Sequence, residues 1–205
     1  MCDRGRSPVA NTFTAMRSTL RFTPWTAAIL VLITSCSHQR ACDPDHRAQA
    51  SASIDNWNRS NPGQPVAIVN WESLRSRAKV DTARTLVMVM ASYCEGVDSC
   101  MKELPEVELS PESIWWISND DFEDIQKFLD RVKHTGFNGR LGILDNDHYG
   151  CYLDQRERNK GLLQEACGVS CGDVIYRSGA LFLLLDGSGQ VQRTSNTAKG
   201  VMKIK

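Results

Sequence analysis

The sequence predicts an α/β domain: a mixed central sheet flanked by helices, with an insertion before a C-terminal hairpin. Three observations carry that prediction. TLVMVMA at 85–91, IWWI at 114–117 and ALFLLL at 180–185 are continuously apolar, the pattern of strands buried on both faces. A segment with helical period, 120–135, lies between the second and third. The last apolar run leads into a turn and one further strand, DGSGQVQRT. Strands alternating with helices make an α/β layer, and the terminal pair adds an antiparallel hairpin.

In chain order, the folded unit spans 64–205 and opens with the short apolar run VAIV at 66–69. Residues 71–79 follow as a helix with Asn70 as its N-cap. The run at 85–91 leads directly to Tyr93 and Cys94. MKEL at 101–104 suggests a helical turn that Pro105 interrupts. Trp115 and Trp116 adjoin on a strand, so they face opposite sides of the sheet. Asp120 and Glu123 form a capping-box pattern at the start of a helix. Its Phe122, Ile125, Leu129 and Val132 share one face, and Gly136 suits its end. LGIL at 141–144 is another strand. Residues 154–166 are highly charged and helical. Asp186-Gly187-Ser188-Gly189 then makes a turn, and 191–194 returns as a strand.

The N-terminal region has a different character. From Met16 the chain reads MRSTLRFTPWTAAILVLITSC. Arg17 and Arg21 form a basic start, residues 25–33 a short apolar stretch, and Ile33-Thr34-Ser35 a small-residue approach to Cys36. That is the layout of a secretory signal. The stretch is shorter than the about 20 residues of a spanning helix. Ile-Thr-Ser-Cys resembles the lipobox of bacterial lipoproteins. The resemblance implies cleavage before Cys36, a diacylglyceryl thioether on its sulfur and acylation of the new amino group. Several acyl chains make a stable anchor where one binds only marginally. An ordinary cleaved signal on a soluble protein is the alternative. Residues 1–35 are then the signal, with Met16 a possible true start. Residues 36–63 are polar, without sustained apolar period, and read as the lipidated N-terminus and a flexible tether. The implied address is the cell envelope, on a periplasmic or outer-membrane surface.

Without residues 1–35 the chain carries 20 basic and 23 acidic side chains. Such a surface has no electrostatic reason to seek nucleic acid. The eight cysteines matter more. In an exported protein they default to disulfides rather than to metal ligands.

The order of elements resembles the thioredoxin fold, and more closely its periplasmic TlpA-like and redoxin branch. Three segments carry the resemblance: TLVMVMASYC, an apolar strand ending in aromatic-Cys; CMKELP, with its downstream Leu-Pro; and ALFLLLDGSGQVQ, a strand, Asp-x-x-Gly and a strand. They span roughly 64–198. Two features depart from the family. Its redox motif is Cys-x-x-Cys, whereas five residues separate Cys94 from Cys100. Its cis-proline position falls at Ala180, preceded by Gly179, and a non-proline cis bond costs about 2.5–4 kcal/mol.

The resemblance implies thiol–disulfide exchange with exported proteins. A cysteine between a strand end and a helix N-terminus sits near unpaired N–H groups, which favour thiolate. Cys94 holds that position and would attack, with Cys100 resolving. A disulfide needs Cα atoms within roughly 7 Å. Six residues of continuous helix rise about 9 Å, so a Cys94–Cys100 bond requires 95–99 to loop out. The competing reading is a redox-inactive lipoprotein in which Cys94–Cys100 is a structural staple and the domain binds a partner. Cys167 and Cys171 read first as a local structural disulfide, or as partners of Cys94 or Cys100. Cys42 and Cys151 either pair, tying the tether to the domain, or stay free. A copper- or zinc-binding chaperone is the third reading, with His148, Cys151 and the cysteine pairs as ligands. The Cys-x-x-x-Cys of copper-delivery relatives, however, sits on a different loop from 167–171. No phosphate loop, nucleophile elbow or zinc-protease motif is present, and no cofactor is expected.

Overall fold

The computed structural model describes residues 42–80, 84–151, 154–167 and 180–202. Six strands form one sheet in the order β1-β4-β3-β2-β5-β6. They are β1 (Val66–Val69), β2 (Thr85–Val89), β3 (Ile114–Ser118), β4 (Arg140–Leu144), β5 (Leu181–Leu185) and β6 (Val191–Ser195). The first four run parallel, and β5 and β6 are antiparallel to their neighbours. Every residue of β2, β3 and β5 is buried, which is why those runs carry no polar alternation. This is the mixed layout expected: a parallel half, an antiparallel hairpin, and helices on both faces.

The helices are α1 (Pro44–Ser60), α2 (Trp71–Val80), α3 (Gly96–Glu103), α4 (Ile125–Thr135), α5 (Asn146–Tyr149), α6 (Gln155–Cys167) and α7 (Ala198–Met202). Adjacent strand residues point to opposite faces, and two cores result. Trp116, Leu86, Met88 and Phe182 pack with α1, α4 and α7. Trp115, Val87, Val89 and Leu183 pack with α2 and α6. Trp116 is wholly buried and meets Phe128 and Phe137 edge-on, at 5.2 and 5.7 Å between centroids. The expected split of the two tryptophans is therefore found. Gly142 leaves room for the Ile117 side chain, whose Cδ1 would stand 2.7 Å from a Cβ there.

Two helix boundaries follow their local signals. Asn70 and Ser73 exchange backbone-to-side-chain hydrogen bonds at 3.0 Å, closing a cap on α2. Gly136 takes φ of 64° and ends α4.

Two expectations are corrected. The stretch expected to be a flexible tether is helical from Pro44 to Ser60. Ala50, Ile54 and Trp57, spaced four and three apart, bury one narrow stripe against the domain. Asp43 caps the helix start, accepting the N–H of Asp45, and Pro44 suits the first helical position. Asp120, expected to open a helix, is instead buried before it. The chain turns through a 3-10 segment, Phe122–Asp124, and α4 begins at Ile125. Among the described residues no helix is long and apolar enough to cross a membrane.

Candidate active site

Parallel β4, β3 and β2 send three loops out of one end of the sheet, and the predicted thiols lie on the third. Beyond β2, Met90 still donates its N–H to Ile117 at 3.0 Å, continuing the ladder. The chain then turns. Cys94 donates its N–H to Ala91 O at 3.2 Å, and Val97 donates to Cys94 O at 3.0 Å, so Cys94 enters α3. Cys94 is half-buried. Its sulfur lies over Gly96, 3.6 Å from where a β-carbon would stand. The sulfur thus stands against the first turn of the helix.

Cys100 sits within α3, half-buried and a thiol like Cys94. Burial pushes its pKa up to about 11, with smaller contributions from Glu103 and Cys94. Cys100 is thus held protonated, half-buried within α3. The expected looping-out of 95–99 is not found, because α3 begins at Gly96. Nor is the staple reading of this pair, since neither sulfur is in a disulfide.

Behind the Cys94 turn stands Asp120, only 1% exposed. Its Oδ2 accepts the Ser92 N–H at 2.9 Å and the Ser118 hydroxyl at 2.7 Å. Burial raises its pKa, against the opposing pull of those hydrogen bonds. Asn146 also donates to Asp120 O, tying in the loop after β4. Arg158, 1% exposed on α6, donates to Asn119 O and to Asp121 Oδ1, both at 2.6 Å. Asn159 accepts from Asn119 Nδ2 at 3.0 Å. Helix α6 therefore clamps the loop after β3.

Tyr93, the residue before Cys94, is 66% exposed. Gln155 at the start of α6 donates to its hydroxyl. Partial burial raises the phenol's pKa, and Asp120 adds to the rise while Arg158 opposes it. An exposed aromatic, a thiol and a buried carboxylate thus share one end of the sheet. Chemically, the arrangement suits nucleophilic attack by Cys94 on an approaching sulfur.

The other predicted residues lie elsewhere. Cys42 and Cys151 are joined in a disulfide, the pairing that ties residues before the domain to it. That overturns the metal reading of His148 and Cys151, because the Cys151 sulfur is committed. His148 Nε2 meets Glu165 at 2.5 Å. Cys167 is disulfide-bonded. Cys171 and Cys36 fall outside the described residues. Ser92, Gln155 and Arg158 escaped the sequence reading, which took Asp120 for a helix cap. Ser118-x-Asp120 at the end of a buried strand was the available signal.

No family model matches the chain, and no curated protein matches it. Among solved structures, the thioredoxin domain of a thiol-disulfide oxidoreductase from Bacteroides vulgatus is similar, at TM-score 0.42 and 13% identity. The match covers 62% of this chain and 78% of that one.

Proposed function

We propose that this chain is a membrane-anchored, extracytoplasmic thiol–disulfide exchange protein, with Cys94 attacking and Cys100 resolving. One observation carries the reading. The other described cysteines are bonded in disulfides, while Cys94 and Cys100 remain thiols where β2 passes into α3. Cys94 is placed to meet a partner, and Cys100 is kept protonated until needed.

The chemistry balances with a protein disulfide as co-reactant. The Cys94 thiolate attacks one partner sulfur, the partner S–S bond breaks, and the departing thiolate takes a proton. Cys100 then gives up its proton and attacks Cys94, releasing the second partner thiol. Two electrons pass to the partner, and a Cys94–Cys100 bond forms. The second step requires the first turns of α3 to open, because an intact helix holds the two sulfurs apart.

That same helix favours a second reading, a redox-inactive binding module that keeps the scaffold without turnover. The discriminating experiment traps mixed disulfides with a model protein disulfide. Exchange predicts that Cys94→Ser abolishes the adduct and Cys100→Ser accumulates it. An adduct unaffected by Cys94→Ser sinks the proposal. So does a Cys94–Cys100 potential below about −300 mV, the range of inert structural bonds.

The anchor on Cys36 is part of the same proposal, supported by the basic start, apolar stretch and lipobox-like approach. Flotation of the full chain with vesicles, lost in Cys36→Ser, tests it.

A further inference from the structure

We infer that the pocket where β3 and β4 begin, lined by Trp115, Arg77 and Arg140, binds a small organic monocarboxylate with a flat apolar body. The pocket lies at the opposite end of the sheet from Cys94. β2, β3 and β4 run parallel, and the thiols follow the end of β2 whereas the pocket takes in the starts of β3 and β4. Carboxylate binding there needs no thiol chemistry.

The pocket encloses about 480 Å³, within the range of small-molecule sites. One glutamine fixes its frame. Gln64 Nε2 donates to Phe137 O at 2.7 Å and to Gly139 O at 2.8 Å, joining the entry to β1 to the entry to β4. The Gln64 carbonyl in turn accepts the Trp57 indole N–H at 2.8 Å. A wall built this way stands without a ligand, so little ordering is lost on binding.

Charge decides what fits. The Arg77 and Arg140 guanidiniums stand over the Trp115 ring, 5.8 and 5.5 Å from its centroid. The face of the indole attracts each of them, while the two cations repel each other. Arg77, exposed on α2, has no carboxylate partner among the described residues. Glu112 is the one acid among the described lining residues. Its own backbone N–H and then the Ser110 hydroxyl hold its carboxyl below the usual range, and Arg140 contributes less. Two cations against one acid leave a single positive charge, which matches a monoanion. A carboxylate presents two oxygens to a planar guanidinium fork. Trp115 adds a donor. The residue is 3% exposed. Its indole N–H has no acceptor among the described residues and is not sealed from solvent. Pro65 and Leu141 add apolar wall for the body of the ligand.

The experiment titrates the full chain with sodium phenylacetate and follows the Trp115 indole N–H resonance by NMR, assigned through Trp115→Phe. Half-saturation is expected below about 1 mM, the strength of a fragment-sized ligand. Arg77→Gln, a change on the exposed side of α2, is expected to weaken binding about tenfold or more, as is replacing phenylacetate by its neutral isostere phenylacetamide. Cys94→Ser is expected to leave the affinity unchanged. A Trp115 resonance that stays still up to about 10 mM phenylacetate overturns the site. An affinity unchanged in Arg77→Gln removes the guanidinium from it and overturns it equally. Phenylacetamide binding as well as phenylacetate would mark an apolar crevice, and inorganic phosphate binding as well would mark unselective attraction of anions. Either result overturns the assignment to a monocarboxylate.

Discussion

Ser92 donates its backbone N–H to the carboxylate of Asp120 at 2.9 Å, joining the loop after β2 to the loop after β3. The turn that presents Cys94 therefore rests on a buried acid. Burial raises the Asp120 pKa in the folded chain. A raised folded pKa means that folding favours the protonated acid. The resulting stability is fully present below the unfolded value of about 3.9 and is lost as pH rises through the folded pKa. Asp120→Asn removes the charge and keeps an oxygen for the Ser92 N–H. The variant is expected to be more stable than the parent at pH 7, with the advantage vanishing below about pH 4. Urea unfolding at both pH values checks this. A parent more stable than the variant at pH 7 would refute it.

Cys100 offers a second titration. Burial, then Glu103 and Cys94, push its pKa up to about 11. At pH 8 about one molecule in a thousand then carries the Cys100 thiolate, the form that alkylates. Iodoacetamide at pH 8 is expected to modify Cys100 at least about a hundredfold more slowly in the folded chain than in the unfolded one. Peptide mass mapping reads both sites. The fold's preference for the neutral thiol stabilises the chain below the unfolded pKa of about 8.5, and this is lost as pH rises through about 11. Equal labelling of Cys100 in the folded and unfolded chain would defeat its assignment as the protonated thiol.

The strands were legible because a buried strand must be apolar on both faces, and 86–89, 114–117 and 181–185 are. Helix α1 was not. Its buried stripe is Ala50, Ile54 and Trp57, and one alanine in three anchors makes a weak signal within a polar segment. Asp120 misled for a different reason. An Asp three residues before a Glu is a capping box by local rules. What turns it inward is Ser92, on another strand's loop, which local pattern does not report. Nor does the spacing of Cys94 and Cys100 reveal whether 95–99 loops out. That depends on α3 starting at Gly96.

Arg158 ties α6 to the thiol end with two differently directed hydrogen bonds, to Asn119 O and Asp121 Oδ1. A guanidinium spans both acceptors, whereas an ammonium on a flexible stem does not hold the same fork. Arg158→Lys is expected to cost about 2–4 kcal/mol despite keeping the charge, within the range for disrupting a buried pair and reduced because Asp121 is partly exposed. Arg158→Met is expected to cost as much or more, since it leaves the Asn119 carbonyl without that donor. Guanidinium unfolding of both variants provides the check. Near-parental stability in Arg158→Lys would show that charge alone suffices.

The disulfide and α1 support each other. The Cys42–Cys151 bond joins residues 109 apart in sequence. Chain entropy alone sets its stabilisation at about 4–5 kcal/mol, with 2–4 the usual yield. Trp57 lies on the buried stripe of α1, and its indole N–H donates to Gln64 O at 2.8 Å. In the oxidised chain α1 is tied at one end, so losing Trp57 weakens a helix that has nowhere else to go. Trp57→Ala is then expected to cost about 3–5 kcal/mol. After reduction, α1 has the alternative of undocking without the rest of the domain unfolding. The cost of Trp57→Ala is then capped by the free energy of docking itself, and is expected to fall by half or more. Stability of parent and variant in the oxidised state and with Cys42→Ser, Cys151→Ser closes the cycle. Equal costs in both backgrounds would mean that α1 docks firmly without its bond, and that Trp57 rather than the disulfide holds the entering chain in place.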